Sequence, residues 1–366
     1  MKVICIGDAM IPGADFTRAA EALGAAEFVT ADWESDWPKL QHRRLVVEQQ
    51  GPGVEPVPET FLAHPDAEMV LGLFCPFSAE GMDALKNVRL IGVARAGTEN
   101  VDLAAATERD IVVLNVLGRN AEAVSDFAVG LMLAEARNIG RAHAAIKSGQ
   151  WRKQFPNSAF VPELRGKTVG IIGFGHIGRL VARKLSGFGV NLLVFDPWVN
   201  PTDVEAAGAR AVDKPTLFSE SDFITLHARL TPESRHLVGR EELARMKPTA
   251  ILVNTARSGL VDTDALVEAL QEGRIAGAAL DVFDVEPIPE GHPLLALDNV
   301  TLTSHIAGTT REALTRSPEL LVNEVLNLLE GRRAAVKNPE VLERPRVQAW
   351  LKQARAALGR GGQDAE

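Results

Sequence analysis

Short apolar runs alternate along this chain with stretches whose apolar residues recur every three or four positions. In the first part, Val3–Ile6, Glu27–Val29, Met69–Phe74, Leu90–Ala94 and Ile111–Leu114 read as strands. Phe16–Leu23, Ala79–Leu85 and Leu103–Ala106 read as the helices between them. Such alternation predicts a parallel sheet covered by helices, a first doubly wound α/β domain. Residues 44–58 are richer in Gly, Pro and Gln and predict a turn-rich connection. From Asn120 to Lys147 runs one long helical pattern, which predicts a helix crossing into a second domain.

The second half repeats the alternation. Strands are expected at Val169–Ile172, Asn191–Phe195, Asp222–Leu226, Ala250–Asn254, Ala276–Asp281 and Val300–Thr303. A helix is expected at Thr263–Glu272, capped by Asp262 or Thr263. Trp151–Pro162, with two prolines and little periodicity, reads as a loop. A long helical pattern from Arg311 to Leu329 is expected to return to the first domain. The polar C-terminal stretch holds one short helical pattern, Val347–Leu358, and a Gly-rich tail that reads as flexible.

One stretch organises this pattern. The apolar run Val169–Ile172 enters Gly173-Phe-Gly175-His-Ile-Gly178, and a helical pattern follows. Gly173 permits the tight turn, Gly175 lets the backbone approach a pyrophosphate, and Gly178 lets the helix pack close to the strand. The helix N-terminus presents unpaired N–H groups to the anion. The next strand ends in Asp196, eighteen residues after Gly178. A carboxylate there holds ribose hydroxyls and repels a 2′-phosphate, so the expected cofactor is NAD. The first half has no such fingerprint and is expected to carry the substrate.

Composition narrows the partners. The chain of 366 residues has a net charge of −9, which argues against general nucleic-acid affinity. No apolar run reaches the ~18 residues of a membrane span. Met1–Gly7 reads as a strand entering a turn rather than a signal peptide. Cys5 and Cys75 lie in apolar runs without metal-ligand spacing, which points to reduced core residues in the cytoplasm and to no metal. The absence of tyrosine excludes a Tyr–Lys catalytic pair.

Three polar residues stand just past expected strands of the second domain: Arg257, Glu286 and His305. In an open parallel sheet, ligands sit outside the carboxyl ends of the strands. This trio suits hydride transfer between a 2-hydroxy acid and NAD. Arg257 binds the carboxylate and polarises the carbonyl. His305 moves the hydroxyl proton, and Glu286 tunes it through the other ring nitrogen.

At these residues the chain resembles the D-isomer-specific 2-hydroxyacid dehydrogenases of the phosphoglycerate and glyoxylate/hydroxypyruvate type, over about residues 68–330. The resemblance rests on Arg95-Ala-Gly-Thr98, Gly166–Gly178, Asn254-Thr-Ala-Arg257, Ala279–Pro287 and Ser304–Gly308. It implies a Rossmann NAD-binding domain, residues 118–308, inserted in a flavodoxin-like substrate domain, residues 1–117 and 309–333, with a C-terminal extension at 334–366. It implies Arg257, Glu286 and His305 as the catalytic triad and Asp281 on the nicotinamide amide. The backbone N–H groups of His176 and Ile177 are implied on pyrophosphate, with Ala228, Thr255 and Ala256 lining the cofactor. Ala96 and Gly97 resemble the family's substrate-carboxylate loop, Thr98 matches a cofactor-contacting position, and Arg95 adds positive charge nearby. A homodimer built on the cofactor domains is also implied.

Two departures bear on the cleft: His227-Ala-Arg229-Leu where the family reads His-x-Pro-Leu, and Ser258 where it has glycine. An NAD-sensing regulatory protein on the same fold is the alternative reading. A formate-dehydrogenase-like enzyme would pair its histidine with glutamine, against which Glu286 counts.

Overall fold

The computed structural model describes residues 1–359, so the expected flexible tail after Gly359 lies outside the described residues. The chain divides into two units: Met1–Arg119 with the segment from Thr310 onward, and Asn120–Thr309.

The first unit is built on five parallel strands: β1 (Lys2–Gly7), β2 (Glu27–Asp32), β3 (Met69–Gly72), β4 (Leu90–Val93) and β5 (Val112–Asn115), in the order β2-β1-β3-β4-β5. Successive side chains on a strand point to opposite faces. Val3 and Cys5 therefore join Leu71, Leu114 and the helix Ser317–Leu329 in one core, while Ile4, Ile6, Val70 and Ile91 join Phe61 and Phe77 in another. Both cysteines are buried and free.

Two elements of this unit differ from the sequence reading. Part of the expected turn-rich connection is a helix, Trp37–Gln50, started by Asp36, whose carboxylate accepts from Lys39 N–H. Only Leu40 and Val47 of that helix are buried, so it shows little apolar periodicity. The C-terminal helix Pro345–Ala357 buries Val347, Trp350, Leu351 and Ala354 in the first core, so the extension forms part of this unit.

The second unit has seven parallel strands: β6 (Thr168–Ile172), β7 (Asn191–Phe195), the short β8 (Arg210–Ala211), β9 (Phe223–Leu226), β10 (Ile251–Asn254), β11 (Gly277–Leu280) and β12 (Val300–Leu302). Their order is β12-β11-β10-β9-β6-β7-β8. The order reverses at β6, which pairs with β7 on one side and β9 on the other. A doubly wound sheet opens its crevice at the carboxyl ends of the strands beside such a reversal. The single long helix expected over Asn120–Lys147 is two helices, Ala121–Ala136 and Ile139–Lys147. Asn138 breaks it with a left-handed backbone (φ 57°), a conformation asparagine tolerates better than most residues. Arg311–Leu329 is likewise divided, into Arg311–Thr315 and Ser317–Leu329. Among the described residues no helix is long and apolar enough to cross a membrane.

Candidate active site

The turn after β6 is shaped by its glycines. Gly173 has φ +89°, and a Cβ there would stand 2.6 Å from Ala228 N. A Cβ on Gly178 would stand 2.1 Å from Gly173 O, so the helix His176–Ser186 lies directly on the turn. Gly175, in contrast, faces open space. No side chain caps the helix, so its first-turn N–H groups, His176 and Ile177 among them, are offered to a ligand. Asp196, at the end of β7, is locked to this turn: Oδ2 accepts from Phe174 N–H at 2.7 Å and Oδ1 from Trp198 N–H at 2.9 Å. Beside it lies a cleft of about 320 Å³ lined by Val194, Phe195, Asp196 and Pro197 among others. An uncapped helix end, a glycine that leaves room for backbone approach and a fixed carboxylate fit a dinucleotide bearing free ribose hydroxyls.

The carboxyl ends of β9 and β10 lie side by side. His227 Nε2 bonds Thr225 Oγ1 at 3.0 Å, while its Nδ1 is closed from solvent and unpartnered. Burial lowers the pKa of this ring to about 3. Thr255 Oγ1 is closed and unpartnered as well. Ala228 and Ala256 stand beside these residues, partly exposed. Buried Asn254 shapes the turn after β10: its Oδ1 accepts from Ala256 N–H at 3.0 Å and its Nδ2 donates to Arg257 O at 2.9 Å. The exposed Arg257 donates only to Ala256 O, at 2.7 Å, and no carboxylate pairs with it among the described residues. Its remaining N–H groups are available to an anion.

The next two strands bring Glu286 and His305 together. His305 Nδ1 meets Glu286 Oε2 at 2.7 Å, and Glu286 Oε1 accepts from Phe283 N–H at 3.0 Å. His305 itself has a left-handed backbone (φ 55°), unusual for a non-glycine residue. Asp281 holds it there. This wholly buried carboxylate accepts from Thr303 Oγ1 at 2.6 Å, Ile306 N–H at 3.0 Å and Ala307 N–H at 2.8 Å. The carboxylate that the resemblance places on the nicotinamide amide is thus engaged with the segment carrying His305. The sequence reading missed this clamp and the one at Asn254; polar residues at the ends of apolar strands were the available signal.

In the first unit, Asn115 Nδ2 donates to Ala96 O at 2.6 Å and fixes the Arg95–Thr98 loop. Thr98 O closes the turn by accepting from Val101 N–H at 2.9 Å. Arg95 is largely buried, lies 4.7 Å over the Phe74 ring and pairs with Glu48 at 2.8 Å and Glu99 at 3.0 Å. Glu99, which the sequence reading passed over, lies against Gly97: a Cβ there would stand 2.2 Å from Glu99 Oε2.

The chain is similar to known proteins over most of its length. Residues 129–307 match the model of the D-isomer-specific 2-hydroxyacid dehydrogenase NAD-binding domain. The chain is 45% identical over 273 residues to a glyoxylate reductase of Thermofilum pendens, covering 72% of this chain and 79% of that protein. It is 44% identical to a D-3-phosphoglycerate dehydrogenase of Methanocaldococcus jannaschii over 69% of this chain but only 48% of that longer protein. The apo-structure of D-lactate dehydrogenase from Escherichia coli superposes with a TM-score of 0.65 at 30% identity, over 92% of this chain and all of that one. The chain belongs to the D-isomer-specific 2-hydroxyacid dehydrogenase family and is an NAD-dependent oxidoreductase.

Proposed function

We propose that the chain interconverts a D-2-hydroxy acid and its 2-keto acid. NAD, when bound, supplies a nicotinamide ring that takes or gives a hydride. The protein supplies the rest. The N–H groups of His176 and Ile177 hold the pyrophosphate, and Asp196 holds the ribose. Gly175 keeps that surface open, Gly173 and Gly178 let the turn and helix pack closely beneath it, and Ala228, Thr255 and Ala256 line it. Arg257 binds the substrate carboxylate with a planar fork of donors. The Ala96–Gly97 backbone of the first unit is an anion-binding segment in its own right. His305 Nε2 gives a proton to the carbonyl oxygen in reduction and takes it back in oxidation. Glu286 holds Nδ1 and so fixes which ring nitrogen faces the substrate. Asp281 positions His305 through the two N–H groups that follow it.

The observation that carries this reading is the Glu286–His305 pair, 2.7 Å apart at the same sheet end as Arg257. NADH oxidation, followed by nicotinamide absorbance over a panel of 2-keto acids, tests it. Turnover of at least one acid is expected, and NADH binding without any turnover favours the NAD-sensing alternative.

The assembly we propose is a cytosolic homodimer. Ile139 and Ile146 on one short helix are 56% and 53% exposed, and Trp151 just beyond is 80% exposed, an apolar surface suited to an isologous interface.

A further inference from the structure

Strand β5 is the edge of the first sheet, and an edge strand presents a row of N–H and C=O groups with no partner strand. Residues 335–338 of the C-terminal extension cover that row. Asn115 N–H donates to Ala335 O at 3.1 Å, Val336 forms an antiparallel bridge with Leu114, and Lys337 N–H donates to Val113 O at 2.8 Å. Asn338, 1% exposed, completes the strap. Its Oδ1 accepts from Val113 N–H at 3.0 Å, and its Nδ2 donates to Ile111 O at 2.8 Å and to Thr107 Oγ1 at 3.2 Å.

The pairing reaches the residue that governs the Ala96–Gly97 loop. Asn115 ends β5 and is 1% exposed. Its main-chain N–H is held by the strap, while its side-chain Nδ2 donates to Ala96 O at 2.6 Å. The next residue, Val116, donates its N–H to Arg95 O at 3.1 Å. Two successive carbonyls of the loop are therefore drawn toward the end of β5.

That arrangement dictates where the loop N–H groups point. In a trans peptide, the C=O of one residue and the N–H of the next point in opposite directions. Both peptides here are trans. Holding Arg95 O and Ala96 O at the strand end thus turns the N–H groups of Ala96 and Gly97 away from it. Neither N–H has a hydrogen-bond partner among the described residues, and Ala96 is exposed. Successive N–H groups turned to one side form an anion nest.

We propose that Asn115 is a positioning residue for the substrate anion and that the C-terminal strap acts through it. The strap fixes Asn115, Asn115 fixes the Ala96 carbonyl, and the Ala96 and Gly97 N–H groups are thereby presented to the acid. The proposal rests on the dehydrogenase reading above.

Two variants of the full chain test it. Asn115→Leu keeps the volume but leaves Ala96 O without its donor. Should it fail to fold, the near-isosteric Asn115→Asp takes its place, since an ionised carboxylate likewise cannot donate. Asn338→Asp keeps the bond from Val113 N–H and removes the two donated ones. With NADH and the 2-keto acid turned over fastest, each variant should raise KM by roughly three- to tenfold, with kcat lowered less than about twofold and NADH Kd unchanged. Hydrogen exchange of the loop amides should quicken by at least roughly threefold in both. A purely structural role would instead lower kcat and NADH affinity together with thermal stability. Unaltered KM in Asn115→Leu, or kcat and NADH affinity falling with it, overturns the proposal. Asn338→Asp kinetics equal to those of the unmodified chain strike out the strap's part. If no keto acid turns over, the dehydrogenase reading fails, and protection of the loop amides by oxalate decides. Protection that is lost in Asn115→Leu supports the proposal; equal protection, or none in either protein, overturns it.

Discussion

The Nδ1 atom of His305 lies 2.7 Å from Oε2 of Glu286, while Oε1 of the same carboxylate accepts from Phe283 N–H. One carboxylate thus fastens both the ring and the loop beside it. In Glu286→Gln a single carbonyl oxygen must serve two donors. Hydrogen bonds to charged groups contribute ~1.5–3 kcal/mol, so kcat is expected to fall by roughly 10–100-fold with NADH affinity unchanged. Steady-state kinetics beside an NADH titration checks this; unaltered kcat would remove Glu286 from the mechanism.

Cofactor choice follows from Asp196. Its two oxygens are fixed by Phe174 and Trp198 N–H groups, so the carboxylate cannot swing away from an added phosphate. NADH is expected to exceed NADPH by at least roughly tenfold in kcat/KM, about 1.4 kcal/mol. Equal efficiency with the two cofactors would contradict this role.

Glu99 is expected to oppose substrate. Its carboxylate lies against Gly97, in the loop proposed to receive the substrate carboxylate. Glu99→Gln removes that like charge and should lower KM for a keto acid by roughly threefold or more, since a partly exposed charge contributes less than ~1 kcal/mol. A raised KM would show that Glu99 instead supports the loop through Arg95.

His227 sets a pH dependence of stability. The folded-state pKa of its buried ring is depressed to about 3. Above the unfolded value, near 6.5, both states are neutral and the ring costs nothing. As pH falls below that value only the unfolded chain gains the proton, so stability drops by up to ~1.4 kcal/mol per pH unit until the folded ring also protonates. Urea midpoints at pH 7.5 and 5 should therefore differ less for His227→Gln than for the unmodified chain. Equal differences would refute the assignment.

The sequence revealed the strands because each is short, apolar and bounded by turns, as Met69–Gly72 and Ile251–Asn254 are. The glycine turn and Asp196 were legible because local backbone geometry dictates their spacing. The helix at Trp37–Gln50 was not, since it buries only Leu40 and Val47 and its start depends on the Asp36 cap. The spacing of Val347, Trp350, Leu351 and Ala354 showed an apolar helix face, but not that the first core was its partner. Arg257, Glu286 and His305 could be picked out as polar residues past strands. Asp281 stood out in the same way, but the N–H groups it clamps and the approach of Glu99 to Gly97 did not, because each depends on how a turn closes in three dimensions.

The central claim is that His305 carries the substrate proton. The most direct test compares His305→Ala with the unmodified chain, measuring NADH-dependent reduction of the best 2-keto acid and the NADH Kd on the same samples. The account predicts a kcat lower by roughly 10²–10⁴ with Kd nearly unchanged. Unmodified turnover in His305→Ala would contradict it.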